Sequence, residues 1–201
     1  MRNFVEMNRK GFTLIEVIVV AAIIAILAGI LVPMIINQVD DSKVSKAKGD
    51  LKTMQTAIQM FKNDLSTFPI RHDGSVEASA DTFFEVLKSA GNEPAVGSTD
   101  WGEALASTGG NAKLLDHLRI NVAPDGYNYP ATKWKGPYLG DAPGDPWGNA
   151  YYIGAKNFVD DPLNPGVSKP VWIISAGADG ILQTNTTDEE LVGDDIGIRY
   201  K

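Results

Sequence analysis

The sequence predicts an α+β protein, with one long N-terminal helix packed on a small C-terminal antiparallel sheet. Three observations predict it. Val17 to Ile36 is a run of twenty residues without a charge. From Val44 to Phe68, apolar residues recur at alternating spacings of three and four. Beyond residue 136, short apolar runs are punctuated by Pro, Gly and Asp, as strands are by turns.

At ~1.5 Å of rise per residue, the uncharged run makes a helix of roughly 30 Å, enough to cross a hydrocarbon core. Arg9 and Lys10 precede it and place that flank in the cytoplasm. Glu16 sits near the start of the segment, where an unpaired charge is costly, so it asks for a counter-ion. An ordinary signal peptide does not fit. No Ala-x-Ala site follows the run, which reads on into Asn37-Gln38-Val39-Asp40-Asp41, and the run exceeds an h-region. The break in composition lies earlier, at Lys10-Gly11/Phe12, and a cut there leaves the helix on the mature chain.

Within the run, Pro33 lacks the N–H that would bond the carbonyl of Gly29, one turn back. Glycine is itself a weak helix former, so a bend or local unwinding is expected between these two. Farther on, Val44, Ala47, Leu51, Met54, Ile58, Phe61, Leu65 and Phe68 form one apolar seam. Lys43, Lys46, Lys48, Asp50, Lys52, Lys62 and Asp64 occupy the other faces. The seam suits either a coiled coil or a sheet of the same chain; its aromatics and Met favour the sheet. One helix from about Phe12 to Ser66, stopped by Pro69, spans roughly 80 Å. An apolar half in lipid and an amphipathic half under a head give a lollipop.

Residues 70–135 are mixed. Asp81 to Lys88 reads as a short helix with Asp81 as N-cap, Glu85 near the capping-box position and Gly91 as stop. Asn111 to Leu118 reads as a second. Gly97-Ser98 and Thr108-Gly109-Gly110 read as turns. His72 and His117 lack ligand spacing and are expected to be exposed or capping. Asp145-Pro146-Trp147-Gly148-Asn149 is turn chemistry. Strands are expected over Tyr151–Ile153, Pro170–Ser175 and Ile196–Tyr200, one face lying on the seam.

The 201 residues suit one domain plus an appendage. Removing residues 1–11 takes Arg2, Arg9, Lys10 and Glu6 from 18 basic and 25 acidic residues, so the formal charge moves from −7 to −9. That balance argues against nucleic acid as a partner. Cysteine is absent, which excludes disulfides and thiol chemistry. No nucleophile elbow, P-loop or zinc-protease motif occurs, so the chain is not expected to be an enzyme.

Lys10-Gly11-Phe12-Thr13-Leu14-Ile15-Glu16 resembles the leader junction of type IV pilins and type II secretion pseudopilins. The resemblance implies that a prepilin peptidase cuts after Gly11 and methylates the new amine of Phe12. It implies that Glu16 pairs with the terminal amine of a neighbouring subunit, and that the helix near Gly29 and Pro33 changes conformation on assembly. The chain then divides into leader (1–11), membrane and assembly helix (12–36), amphipathic helix (37–69), variable region (70–135) and sheet (136–201).

The resemblance narrows at the C-terminus. Gly136-Pro137-Tyr138-Leu139, the Asp145–Tyr151 turn, Gly177-Ala178-Asp179-Gly180 and Asp194-Asp195-Ile196-Gly197 are similar to the major pseudopilin of type II secretion, the G-type subunit. In that subgroup the last interstrand loop binds calcium. Carried over, Asp179 and the Ala176 carbonyl match ligands, with Asp194 and Asp195 near the second acidic cluster. Residues 181–193 depart from the family in length and glycine content, so Asp188, Glu189 or Glu190 would serve instead, or the site is lost. The implied partners are a homopolymer, minor pseudopilins, the prepilin peptidase, a platform protein with its assembly ATPase, and an outer-membrane secretin. The implied location is the inner membrane, single pass, with the head in the periplasm. The alternative is a type IV pilus subunit for adhesion, motility or DNA uptake.

Overall fold

The structure is a computed structural model and describes residues 11–69, 85–106, 111–121, 129–158 and 169–200. The chain divides into two compact units, Met1–Ser42 and Lys43–Lys201.

Helix α1 (Leu14–Leu65) begins in the first unit. There its apolar side chains are exposed, including Ile15, Ile18, Ile23, Leu27 and Ile30. Among the described residues it is the one helix long and apolar enough to cross a membrane. An exposed apolar surface of this extent marks a membrane or protein contact.

In the second unit the seam of α1 is buried, as its spacing predicts: Ala47, Leu51, Met54, Ile58, Phe61 and Leu65, with Ala57 added. Val44 and Phe68 pack at its ends. The helix stops where Ser66 takes a left-handed conformation (φ 57°) and its N–H returns to the Lys62 carbonyl at 2.8 Å. Beyond the stop, Phe68 stacks on Phe158 with ring centroids 4.2 Å apart.

The seam meets a five-stranded sheet among the described residues, in the order β2-β1-β3-β4-β5. The strands are β1 (Val86–Lys88), β2 (Asn111–Lys113), β3 (Tyr152–Gly154), β4 (Trp172–Ser175) and β5 (Ile196–Arg199). Pairs β1–β3, β3–β4 and β4–β5 are antiparallel, while β1–β2 is parallel. Register aligns Leu87 with Ile153, Ile153 with Ile173 and Ile173 with Ile198. That row faces α1 and joins its core. One residue along, Val86, Tyr152, Trp172 and Ile174 point the other way into a second core. Helix α2 (Trp101–Ala106) supplies Trp101 and Ala104 to that second core.

Two sequence expectations are corrected. Val86–Lys88 is a strand, not the end of a helix, because Val86 and Leu87 bury on opposite faces and pair with β3. The rest of that expected helix, from Asp81 to Phe84, lies outside the described residues. Asn111–Lys113 is likewise a strand, and only α3 (Leu114–Leu118) is helical. In both places pairing to a neighbouring strand overrides local helix propensity. Gly97 does turn, with φ 53°, whereas residues 108–110 and His72 lie outside the description.

His117 is the third correction. It is fully buried, not exposed, and its Nδ1 shares a 2.8 Å hydrogen bond with the Tyr129 hydroxyl. Burial pulls its pKa down from 6.5 to about 4, so the ring is neutral at pH 7.

Candidate functional site

Two places hold the functional candidates, one in each unit. At the N-terminal junction, Gly11 is exposed with open space about it, and Phe12 is exposed as well. Residues 1–10, with Arg9 and Lys10, lie outside the description. Thr13 and Glu16 form a reciprocal cap on α1. The Thr13 N–H and hydroxyl donate to Glu16 Oε2 at 3.0 and 2.9 Å, and the Glu16 N–H donates to Thr13 Oγ1 at 3.3 Å. This is the capping box that Thr-x-x-Glu encodes. The sequence reading gave Glu16 a partner in another copy and missed this one in its own chain. The signal was there: Thr stands three residues before Glu at the start of an apolar run. Farther along, α1 is helical through both Gly29 and Pro33.

The second place is the loop between β4 and β5. Asp179 Oδ1 accepts the Ile181 N–H at 2.8 Å, and its Oδ2 accepts the Gln183 side-chain amide at 2.8 Å. Asp194 Oδ2 accepts the N–H groups of Ala178 and Asp179 at 2.7 and 3.0 Å. The Gln183 amide oxygen in turn accepts the Asp194 N–H at 3.0 Å. Asp195 Oδ2 accepts the N–H groups of Gln183 and Thr184 at 2.9 and 2.7 Å. Thus Asp179, Asp194 and Asp195 all gather around Gln183, a residue that sequence reading did not single out. Asp188 stays apart and binds Asn185. Glu189 pairs with Arg199, and Glu190 is exposed.

The chain can make these turns because Gly177 is left-handed (φ 65°); a Cβ there would strike the Asp194 main chain and carboxylate. Ala176 beside it is fully buried. Behind it, Ser175 donates its hydroxyl to buried Asp145 at 2.6 Å. Asp145 also accepts the Trp147 and Asn149 N–H groups at 3.0 and 2.8 Å, which fixes the Asp-Pro-Trp-Gly-Asn turn. Across the loop, Asp100 accepts from the Thr186 N–H and hydroxyl at 2.7 and 2.6 Å.

Among the described residues, no three acidic or histidine side chains converge on one point. The loop nevertheless offers carboxylate and main-chain oxygens, the ligand type calcium prefers. One oxygen stands out. Asp195 Oδ1 is buried and has no hydrogen-bond donor. Burial pushes the Asp195 pKa up, and three hydrogen bonds from Gln183 and Thr184 oppose the rise. A cation near that oxygen would hold the charged form.

A family profile described as the prokaryotic N-terminal methylation motif matches residues 7–32. Another, described as type II secretion system (T2SS), protein G, matches residues 116–194. The chain is 32% identical over 173 residues to the type II secretion system core protein G of Pseudomonas aeruginosa, covering 86% of each chain. It is 27% identical over 190 residues to that of Klebsiella pneumoniae, covering 94% of each. It is 29% identical over 174 residues to that of Vibrio cholerae, covering 86% of this chain and 83% of the relative. No solved structure gives a significant match.

Proposed function

The chain belongs to the type II secretion system core protein G family, and from that membership we propose how it works. It is a structural subunit of the type II secretion pseudopilus. The carrying observation is identity of 32% across 86% of both chains, head and anchor together. The type IV pilus alternative is not favoured, because the head itself matches the protein G profile over residues 116–194.

The finer account is our proposal. A prepilin peptidase cuts after Gly11 at the cytoplasmic face and methylates Phe12. The subunit waits in the inner membrane on α1, its head in the periplasm. There the Thr13 cap keeps the Glu16 carboxylate hydrogen-bonded, which lowers the cost of a charge in a low-dielectric layer. On assembly, Glu16 takes the terminal amine of a neighbour, which sets register as one buried polar group does in a coiled coil. Neighbours also satisfy backbone groups freed between Gly29 and Pro33. A platform protein and assembly ATPase drive extraction, minor pseudopilins complete the fibre, and it pushes folded proteins through a secretin. The work comes from subunit addition, with no catalysis on this chain.

We also propose that the β4–β5 loop holds calcium through Asp179, Asp194 and Asp195 with the Ala176 carbonyl. The donorless Asp195 Oδ1 supports it. Asp188, set apart with Asn185, is not in that set.

Deleting the gene tests the function. Exoproteins should then accumulate in the periplasm while surface pili persist. Normal secretion with lost pili or motility would restore the pilus reading.

A further inference from the structure

The strand order puts two exposed patches of opposite charge on opposite edges of the head. At the β5 edge, the loop before Ile196 exposes Leu191 and Val192 next to Glu189 and Glu190. Leu191 lies over Gly197 of the edge strand β5, on the sheet face that carries Trp172. No Lys or Arg occurs between Lys169 and Arg199, while Asp179, Asp188 and Asp194 add to the acidic side. At the β2 edge, Lys113 closes the strand, and α3 is followed by Arg119 and Ile120. Ile120 is 55% exposed and Val192 46%.

Lys133 is exposed on the segment before Tyr138, whose N–H bonds the Leu118 carbonyl at the end of α3 at 2.8 Å. Asp116 is an acid on α3 and is half-buried. Among the described residues, the ion pairs leave Lys113, Arg119, Lys133 and Glu190 without a partner charge.

A single exposed Ile or Leu means little. Here Leu191 and Val192 sit beside Glu190 and Ile120 sits beside Arg119, and these two charges, which no ion pair takes among the described residues, are opposite in sign; Glu189 is taken by Arg199. Strands β1, β3 and β4 separate the two edges, so they cannot meet within one chain. Two different, complementary surfaces on one molecule make a heterologous contact, and repeated without closure that contact builds an open fibre. Opposed charges at its rim select partner and register.

We infer that the Arg119–Ile120 edge of one copy docks on the Glu190–Leu191–Val192 loop of the next, with Arg119 facing Glu190. The inference rests on the pseudopilus reading and adds the head surfaces that meet. It also gives the middle of the chain, which supplies Arg119 and Ile120, a role in the fibre.

The test uses the absence of native cysteine. Ile120→Cys and Val192→Cys are placed together in the full chain, in cells running the secretion apparatus, and mild oxidation is applied. Both positions are exposed, so the fold is spared. The expected result is a ladder of dimers, trimers and higher species, absent from either single variant. A product that stops at dimers means a self-complementary contact and overturns the inference. So does an uncross-linked chain in cells that form fibres. If the unsubstituted chain makes no fibres, the subunit reading fails first and takes the contact with it. Charge exchange gives a second reading. Arg119→Glu should lower fibre yield severalfold, and adding Glu190→Arg should restore it. A double variant no better than the single overturns the pairing.

Discussion

The Tyr151 hydroxyl donates a 3.0 Å hydrogen bond to Asp50 Oδ2, joining the residue before β3 to the side of α1. Asp50 also meets Lys46, one turn back, at 3.2 Å. Tyr151 is fully buried. Burial, and then the Asp50 charge, push the Tyr151 pKa up, so the phenol stays a donor at any physiological pH.

Tyr151→Phe keeps the ring and removes that donor. The expected cost is about 1 kcal/mol, a fall in Tm of about 2–4 °C for a head of this size. Thermal unfolding of the full chain in detergent reads it. An unchanged Tm would mean that Asp50 is fully satisfied by Lys46 and water.

His117 makes the head acid-sensitive. Above pH 6.5 the ring is neutral in both states and adds no pH dependence. Between 6.5 and about 4 the unfolded chain binds a proton that the folded chain refuses, so stability falls as pH falls. From pH 7.5 to 5 the loss is about 2 kcal/mol. Urea midpoints at those two pH values check it. His117→Gln should flatten the difference, and equal slopes in variant and parent would remove His117 as the cause.

The membrane acid has an assembly role to test. Glu16→Ala should leave the chain in the membrane fraction, since the uncharged run is untouched. It should reduce fibre formation sharply. Fractionation and fibre shearing measure the two separately, and normal fibres from the variant would end the pairing account.

Calcium removal tests the loop. Chelation should lower Tm and open residues 181–194 to protease, and added calcium should reverse both. Asp195→Asn should make the chain indifferent to chelator. A chelator without effect on either readout would assign the loop's order to its hydrogen bonds, with Gln183 at their centre.

How far the sequence told this in advance depends on the range of the forces involved. The α1 seam was legible because a 3.6-residue period needs no partner to be recognised. Strands β3, β4 and β5 were legible from short apolar runs bounded by turn residues. Val86–Lys88 and Asn111–Lys113 were not, since each has only three residues and its pairing partner lies far along the chain. His117 misled for a similar reason: nothing local announces that Tyr129 will meet it in the core. At the N-terminal junction, Gly11, Phe12 and Glu16 form a fixed local pattern in the sequence, and the methylation-motif profile matches the stretch that holds it. The web around Gln183 was not legible, because main-chain N–H groups do most of the binding and carry no sequence signature.

The central claim is that this chain is processed at Gly11/Phe12 and then built into a fibre. The most direct measurement is the mass of its N-terminal peptide, taken from cells with a working secretion apparatus. The account predicts a peptide that begins at Phe12 and carries one extra methyl group. A mature chain that still begins at Met1, or is cut beyond Ile36 so that the membrane helix is lost, would contradict it.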